Sequence, residues 1–480
     1  MRSAAHGRTL CLVSSRREMN VQSATRSLPP PAPVVPPVGV WILIGAGSGL
    51  AIGVAASVAL TDALALGTAL ALLMWVVPRP PIILIALVAS VFAQVITVGG
   101  VTIGRICAPI ALLLVILALL RGASVGASSP LRWAVAYALW AVASGLWSVH
   151  IGSTLTQLAS VGIGISYMLA FAVLLANRRD MNRVLYTLAI VAFAVGIYGM
   201  VTSQGRAGTD TGDANYFAMV EIVALPLVLA LAADVRARWL RLSLYAVLLV
   251  IIAAVFSSLS RGGLIALGAV VLLVVALPAR NFFRSPTQKM IVVLCLIVGV
   301  VGAYKMTSQA LSQRVEAIFT SQGRTGSGRL NAWRAADTSI RERPFTGLGY
   351  GAFEPSANDL MLRTPGVDLS NFLLRPRGLE AHSAYIGTLA ELGIPGLALF
   401  LGLLGSTALA IKRSAAAARE AGAMSTMRIA NALLISLVGW AVASIFLSSE
   451  TGRPLWIIIG MAVALPKLAA DESLNKTGGD

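Results

Sequence analysis

Apolar blocks of helical length recur along this chain from Val40 to Leu465, rich in Leu, Ala, Val and Gly and free of the strict alternation of barrel strands. About 20 apolar residues cross a bilayer as a helix. On that rule spans are predicted at 40–59, 63–77, 81–98, 106–120, 131–148, 153–176, 184–203, 214–233, 240–257, 263–278 and 289–306, and again near 384–411, 428–447 and 454–466. The pattern is that of an all-α polytopic membrane protein with about 12–14 transmembrane helices. It divides the chain into a tail at 1–38, N-terminal membrane helices at 39–306, one large loop at 307–383, C-terminal membrane helices at 384–467 and a second tail at 468–480.

Within the large loop, Leu330, Trp333 and Ile340 recur at helical spacing, which predicts a short amphipathic helix lying on the membrane domain and ended by Pro344. Gly347, Gly349 and Gly351 then alternate with Leu348 and Tyr350, allowing positive φ and close backbone approach. The loop closes at His382. A short helix is expected after it, broken by Gly393-Ile394-Pro395-Gly396 before the next span begins.

Composition excludes a water-soluble globule: 57% of residues are hydrophobic and 12% charged, half the charged share of an ordinary soluble domain. The first 38 residues carry scattered arginines and a proline run, and read as a disordered basic tail rather than a signal peptide. Cys11, Cys107 and Cys295 stand far apart, so no disulfide framework or metal cluster is expected, and no cofactor is called for.

The net charge of +17 sits largely in alternate short loops: Arg178, Arg179 and Arg183; Arg236, Arg238 and Arg241; Arg280, Arg284 and Lys289; Lys412, Arg413, Arg419 and Arg428. The positive-inside rule puts these loops and both termini in the cytoplasm and the large loop outside. Anchoring to membrane lipids accounts for the charge without nucleic acid.

Four arginines fall on the opposite side. For Arg105 and Arg453 the expectation is snorkelling to the interface. Arg261 lies in Ser258-Leu259-Ser260-Arg261-Gly262-Gly263, where serines, glycines and a guanidinium together suit an anion. Arg206 precedes a polar loop running to Asp213 and Asn215, with Asp213 a candidate helix N-cap; the aspartates Asp210 and Asp213 offer Arg206 a plain neutralising role as the alternative. His382 is the one histidine joined to the large loop. Imidazole titrates at about pH 6.5 and suits a general base, although a lone histidine is more often structural.

Arg206 with Asp213-Ala214-Asn215, the Ser258-to-Gly263 turn, Arg329 with Trp333, the Pro344-to-Phe353 segment and His382 through Gly396 occur in an order that resembles the O-antigen ligase and polysaccharide polymerase superfamily of bacterial inner-membrane enzymes. One departure is Ser383, where the family often has Asn. The resemblance implies a GT-C-like, metal-independent glycosyltransferase in the bacterial cytoplasmic membrane, with its active site on the extracytoplasmic face. It would move a glycan from a polyprenyl-pyrophosphate carrier to a glycan, lipid or protein acceptor, alongside other polysaccharide-assembly proteins. On that reading His382, Arg261 and Arg206 are catalytic, and Arg329, Asn215, Ser260 and Gly349 bind substrate. A lipid-linked-glycan flippase or other polytopic transporter is the alternative from composition, and a non-catalytic assembly protein a third. The absence of an evident internal repeat and the single asymmetric loop favour the enzyme.

Overall fold

The computed structural model describes residues 79–92, 97–98, 101–126, 128–202, 206–208, 213–278, 283, 285–294, 296–298, 301, 305, 324–367 and 378–477. The expected spans 40–59 and 63–77, the N-terminal tail, Asp210, Cys11 and Cys295 lie outside these residues, and the span 289–306 lies partly outside them. In chain order the elements are α1 (Pro80–Phe92), a hairpin of β1 (Thr97–Val98) and β2 (Val101–Thr102), α2 (Ile103–Leu120), α3 (Ser129–Ala143), α4 (Ile151–Leu174), α5 (Arg178–Thr202), α6 (Ala214–Asp234), α7 (Arg238–Ser257) and α8 (Arg261–Ala276). After the large loop's α9 (Arg324–Glu342) and α10 (Phe353–Arg363) come α11 (Ala384–Glu420), α12 (Met424–Ala443) and α13 (Arg453–Thr477).

Eight helices among the described residues are long and apolar enough to cross a membrane: α2, α4, α5, α6, α7, α11, α12 and α13. Two expected spans give α-helices shorter than the apolar blocks that predicted them. The block at 81–98 gives α1 and then the hairpin that pairs Thr97 with Thr102. The block at 131–148 ends its α-helix at Ala143, where the Ser144 hydroxyl turns back to the Ala141 carbonyl. The block at 263–278 is matched in length by the 16-residue α8, which starts two residues earlier, at Arg261. Conversely, α13 continues through Pro466 to Thr477, past the expected end of the membrane region at 467.

The bundle is built around α6, which apart from the fully buried Glu221 is apolar around its middle and is buried along nearly its whole length, as suits a helix enclosed by others. Against it α12 packs closely: the Ser436 hydroxyl donates to the Val223 carbonyl at 2.7 Å, and Gly439 leaves room for Ile222 and Val270. Small residues make the other close crossings, Gly164 receiving the Trp456 ring, Gly460 meeting Met168 and Phe171, and Gly402 receiving Trp133. Ile190, Val201, Leu242 and Leu272 on the outer helices remain exposed, which suits a lipid surface.

The two ends of the bundle differ in chemistry. At one end Arg178 and Arg428 both grip Asp234, at 2.8 and 2.6 Å, while Glu472 accepts the backbone N–H groups of Ser425 and Thr426 at the start of α12. The Arg236, Arg238, Arg241, Arg413 and Arg419 positions belong to the helix termini of this same end. The opposite end gathers Arg206, the α7–α8 turn, α9, α10, His382 and the turn before α13.

Helix α11 is two helices. Gly393 adopts φ 68°, ψ −171°, so residues 384–392 form a short helix before the long one, as the Gly-Ile-Pro-Gly run predicts. On α9, by contrast, Ala332, Ala335, Ala336 and Ser339 form the buried face, whereas Leu330 is 48% exposed. The contact face is turned by one position from the expected one because the neighbouring α10 approaches closely enough to favour small side chains.

Candidate active site

The turn between α7 and α8 is the first component. The Ser258 hydroxyl accepts the N–H of Ser260, Leu259 takes φ 50°, and the Ser260 hydroxyl caps α8 by accepting the N–H of Gly263 at 3.1 Å. Gly263 has to be glycine here, since a Cβ would stand 2.8 Å from that of Ala218. Arg261, the first residue of α8, is left exposed. The Arg206 Nε–H donates to the Ser258 carbonyl at 2.9 Å, and the N–H of Ala207 to the Ser257 carbonyl, so the chain after α5 is sewn to this turn. Asp213 caps α6 as expected, accepting the N–H of Asn215, and the Asn215 side-chain oxygen accepts the Ser260 hydroxyl at 2.9 Å. Arg206, Asn215, Ser260 and Arg261 thereby form one group.

Arg329 joins it from α9. Burial lowers its pKa, the nearby Arg261 charge lowers it further, and Asp213 acts in the opposite direction, which places all three charges in one electrostatic environment.

His382 is the second component. Among the described residues only Leu259 and His382 combine a side chain with positive φ, and the two lie in the two motifs picked out from the sequence. Such conformations cost about 1–3 kcal/mol and persist where the surroundings hold them. Around His382 the surroundings do so on both sides. The Trp333 indole donates to the Ala381 carbonyl at 2.9 Å, Ser383 caps the short helix by accepting the N–H of Ile386, and the N–H of Ala384 reaches the carbonyls of Ser444 and Leu447. Ser383 thus fills the capping position that Asn also suits. The His382 Nδ1 lies 3.9 Å from Glu380 Oε2.

The glycine-rich segment 344–353 clasps the kink. The N–H groups of Leu348 and Gly349 donate to the carbonyls of Ala390 and Glu391, and the N–H of Ile394 donates to the carbonyl of Pro344 at 2.8 Å. The first two bonds satisfy carbonyls, and the third an N–H group, that the broken helix leaves without partners. A Cβ on Gly349 would lie 2.4 Å from that of Ser148, so this glycine serves a tight backbone crossing, whereas Gly351 lines the adjoining cavity. From the other side Trp147 holds the same segment, donating to the Thr346 carbonyl, and Trp140 holds the kink, donating to the Leu392 carbonyl.

Acidic residues are the part that sequence reading missed. Glu391 accepts the N–H groups of Gly351 and Phe353 through its two carboxylate oxygens, fixing the start of α10 to the short helix. A cavity of about 540 Å³ opens beside it, and Glu354, Glu380 and Glu450 share its wall with Thr156, Gln157 and Thr451. Glu380 is pushed up to about 7, first by loss of water around its carboxylate, then by the charges of Glu354 and Asp213. Glu450 is likewise raised to about 7 by burial and by Glu380, against backbone hydrogen bonds that lower it. Glu380 is therefore shared: it faces His382, the cavity, and the Asp213 that also influences Arg329. The one available sequence signal was position, since Glu450 is a lone acid in the short turn between two apolar spans.

A smaller cavity of about 240 Å³ adjoins through Ser448 and Thr451 and is lined by Arg105 and Arg453. Arg453 does not snorkel. It donates to the Ser90 carbonyl and the Thr102 hydroxyl, both at 3.2 Å, and lies 6.0 Å from the centre of the Tyr167 ring, in space that Gly104 leaves open. Arg105 is exposed.

These features define a multi-pass α-helical membrane protein with a charged, cavity-bearing site at one end of the bundle. Residues 245–401 match the model of the O-antigen ligase family (Wzy_C), a stretch that starts in α7, carries Arg261, Arg329 and His382, and ends just beyond the kink. The match bears out the resemblance to the O-antigen ligase and polymerase superfamily and supports a membrane glycan-handling enzyme of that superfamily. Arg206, Asp213 and Asn215 precede the matched stretch. No match was found among curated proteins.

Proposed function

We propose that the protein is a glycosyltransferase that moves a glycan from a polyprenyl-pyrophosphate carrier to a hydroxyl group of a glycan, lipid or protein acceptor, on the extracytoplasmic face of the bacterial cytoplasmic membrane. The observation that carries this reading is the setting of His382: it is held in a left-handed conformation 3.9 Å from Glu380, whose carboxylate, with the neighbouring Ala381, lines a large cavity. In the reaction the acceptor oxygen attacks the anomeric carbon. The bond from that carbon to the pyrophosphate oxygen breaks, its electron pair leaves with the carrier pyrophosphate, and the acceptor proton passes to the His382 imidazole.

Arg206 and Arg261 bind the departing pyrophosphate, their fixed charges stabilising the negative charge that grows on it. Arginine here does the work that a divalent cation does for other pyrophosphate leaving groups. Asn215 and Ser260 fix the arginine-bearing turn, and Arg329 adds a contact to donor or acceptor. The basic helix termini at the opposite end support this side assignment. The deciding experiment is transfer in vitro by purified protein given a lipid-pyrophosphate-linked glycan. Release of the carrier together with a lengthened acceptor supports the reading, and movement of intact lipid-linked glycan across vesicles without transfer would replace it with a transporter.

A further inference from the structure

The structure assigns the 540 Å³ cavity beside His382 to the acceptor: we propose that it binds the sugar carrying the attacking hydroxyl, and that this sugar is uncharged or cationic, phosphate- and carboxylate-bearing sugars being excluded. The inference rests on the glycosyltransferase reading and adds the class of acceptor to it. Two independent observations carry it. Four carboxylates line the cavity, Glu354, Glu380, Glu391 and Glu450, with Thr156, Gln157 and Thr451 supplying hydroxyl and amide groups of the kind that bind sugars. Glu450, moreover, is only 6% exposed on the cavity wall, and its Oε2 has no hydrogen-bond partner, an arrangement that costs free energy unless something arrives to meet it.

The division of charge fits two substrates of opposite character. Arginines on α8, α9 and the chain after α5 form one side and suit a pyrophosphate; carboxylates on α10, the 380 segment and the turn before α13 form the other and repel one. The two sides meet at Glu380, which lies on the cavity wall and faces His382. A sugar hydroxyl bound to Glu450 or Glu380 would therefore be delivered toward the imidazole.

The test reads binding without turnover. Full-length protein in nanodiscs is mixed at about pH 8, above the value of about 7 for Glu450, with methyl glucoside, glucosamine or glucuronate, and saturation-transfer NMR reports contact. The neutral sugar and the amino sugar are expected to show transfer and glucuronate none. Glu450→Gln should admit glucuronate, raising its signal about tenfold, because a like charge has been removed. Gln157→Ala, on the cavity wall, should weaken the neutral sugar several-fold and carries the test if Glu450→Gln fails to fold. His382→Gln should bind sugars normally, which separates a failed cavity assignment from a failed mechanism. Glucuronate contact equal to that of glucoside in the parent protein, sugar contact unchanged in Gln157→Ala, or no sugar contact at all would overturn the assignment.

Discussion

The Trp333 indole N–H and the Ala381 carbonyl are 2.9 Å apart, which ties α9 of the large loop to the residue immediately ahead of His382. Trp333→Phe keeps an aromatic ring and deletes the donor. The expected result is a turnover rate lower by about tenfold to a hundredfold with donor affinity unchanged, since small displacements of a base are costly to rate. Single-turnover transfer and a separate donor-binding measurement check both halves.

His382→Ala should reduce transfer by about 10²–10⁴-fold, the usual range for loss of a general base. His382→Gln should do nearly the same, because an amide forms hydrogen bonds but takes up no proton. A glutamine variant turning over at the parent rate would leave catalysis to positioning and the arginines. Glu380→Gln tests the partner: a carboxylate beside an imidazole favours its protonated form, so removing it should move the acidic limb of the rate profile to lower pH.

For the leaving group, Arg261→Lys retains charge but not the planar fork, and Arg261→Ala retains neither. Both variants should lose donor affinity, the lysine form by about tenfold and the alanine form by more. Titration of the purified variants with the lipid-pyrophosphate donor gives the comparison. Equal affinity in all three forms would return Arg261 to the role of an interface anchor.

Gly393→Ala should destabilise the protein without touching any reacting group. A Cβ there would stand 2.4 Å from the Phe345 carbonyl oxygen, and φ is 68°. The combined clash and conformational penalty is about 2–4 kcal/mol, visible as a lower melting temperature in detergent.

Stability should also depend on pH through Glu450. Its folded value of about 7 exceeds the ordinary 4.5, so the folded protein binds the extra proton and loses stability as pH rises through that interval. Melting measured from pH 5 to 8 should fall, by on the order of 3 kcal/mol in free energy, with Glu380 acting in the same direction. Glu450→Gln should flatten the slope.

The membrane helices were legible because a bilayer imposes a length and an apolar composition that neighbouring packing does not disguise. Legible too was the break at Gly393, since glycine and proline act locally. Glu391 and Glu450 were not, because a lone acid at the edge of an apolar block carries no sign of the cavity it borders. The Ala332 and Ala336 face of α9 was missed for a related reason: helical spacing marks the large apolar residues, and close packing there selects small ones. Arg453 was read as an interface anchor because its partners, Ser90 and Thr102, lie more than three hundred residues earlier in the chain.

The clasp between residues 344–353 and the kink in α11 has a consequence for biosynthesis. The loop's N–H groups find their acceptors at Ala390 and Glu391, and α10 starts on the Glu391 carboxylate. All of these acceptors leave the ribosome after the loop itself. Until the C-terminal helices are in place, the loop has only its bonds to the Ser144-to-Val149 region to hold it, so the clasp, which needs Ala390 and Glu391, is among the last parts of the site to form. A chain halted before residue 390 would be inserted through its N-terminal helices yet remain inert toward a pyrophosphate-linked glycan, and supplying the C-terminal helices as a separate polypeptide should restore both the clasp and the activity.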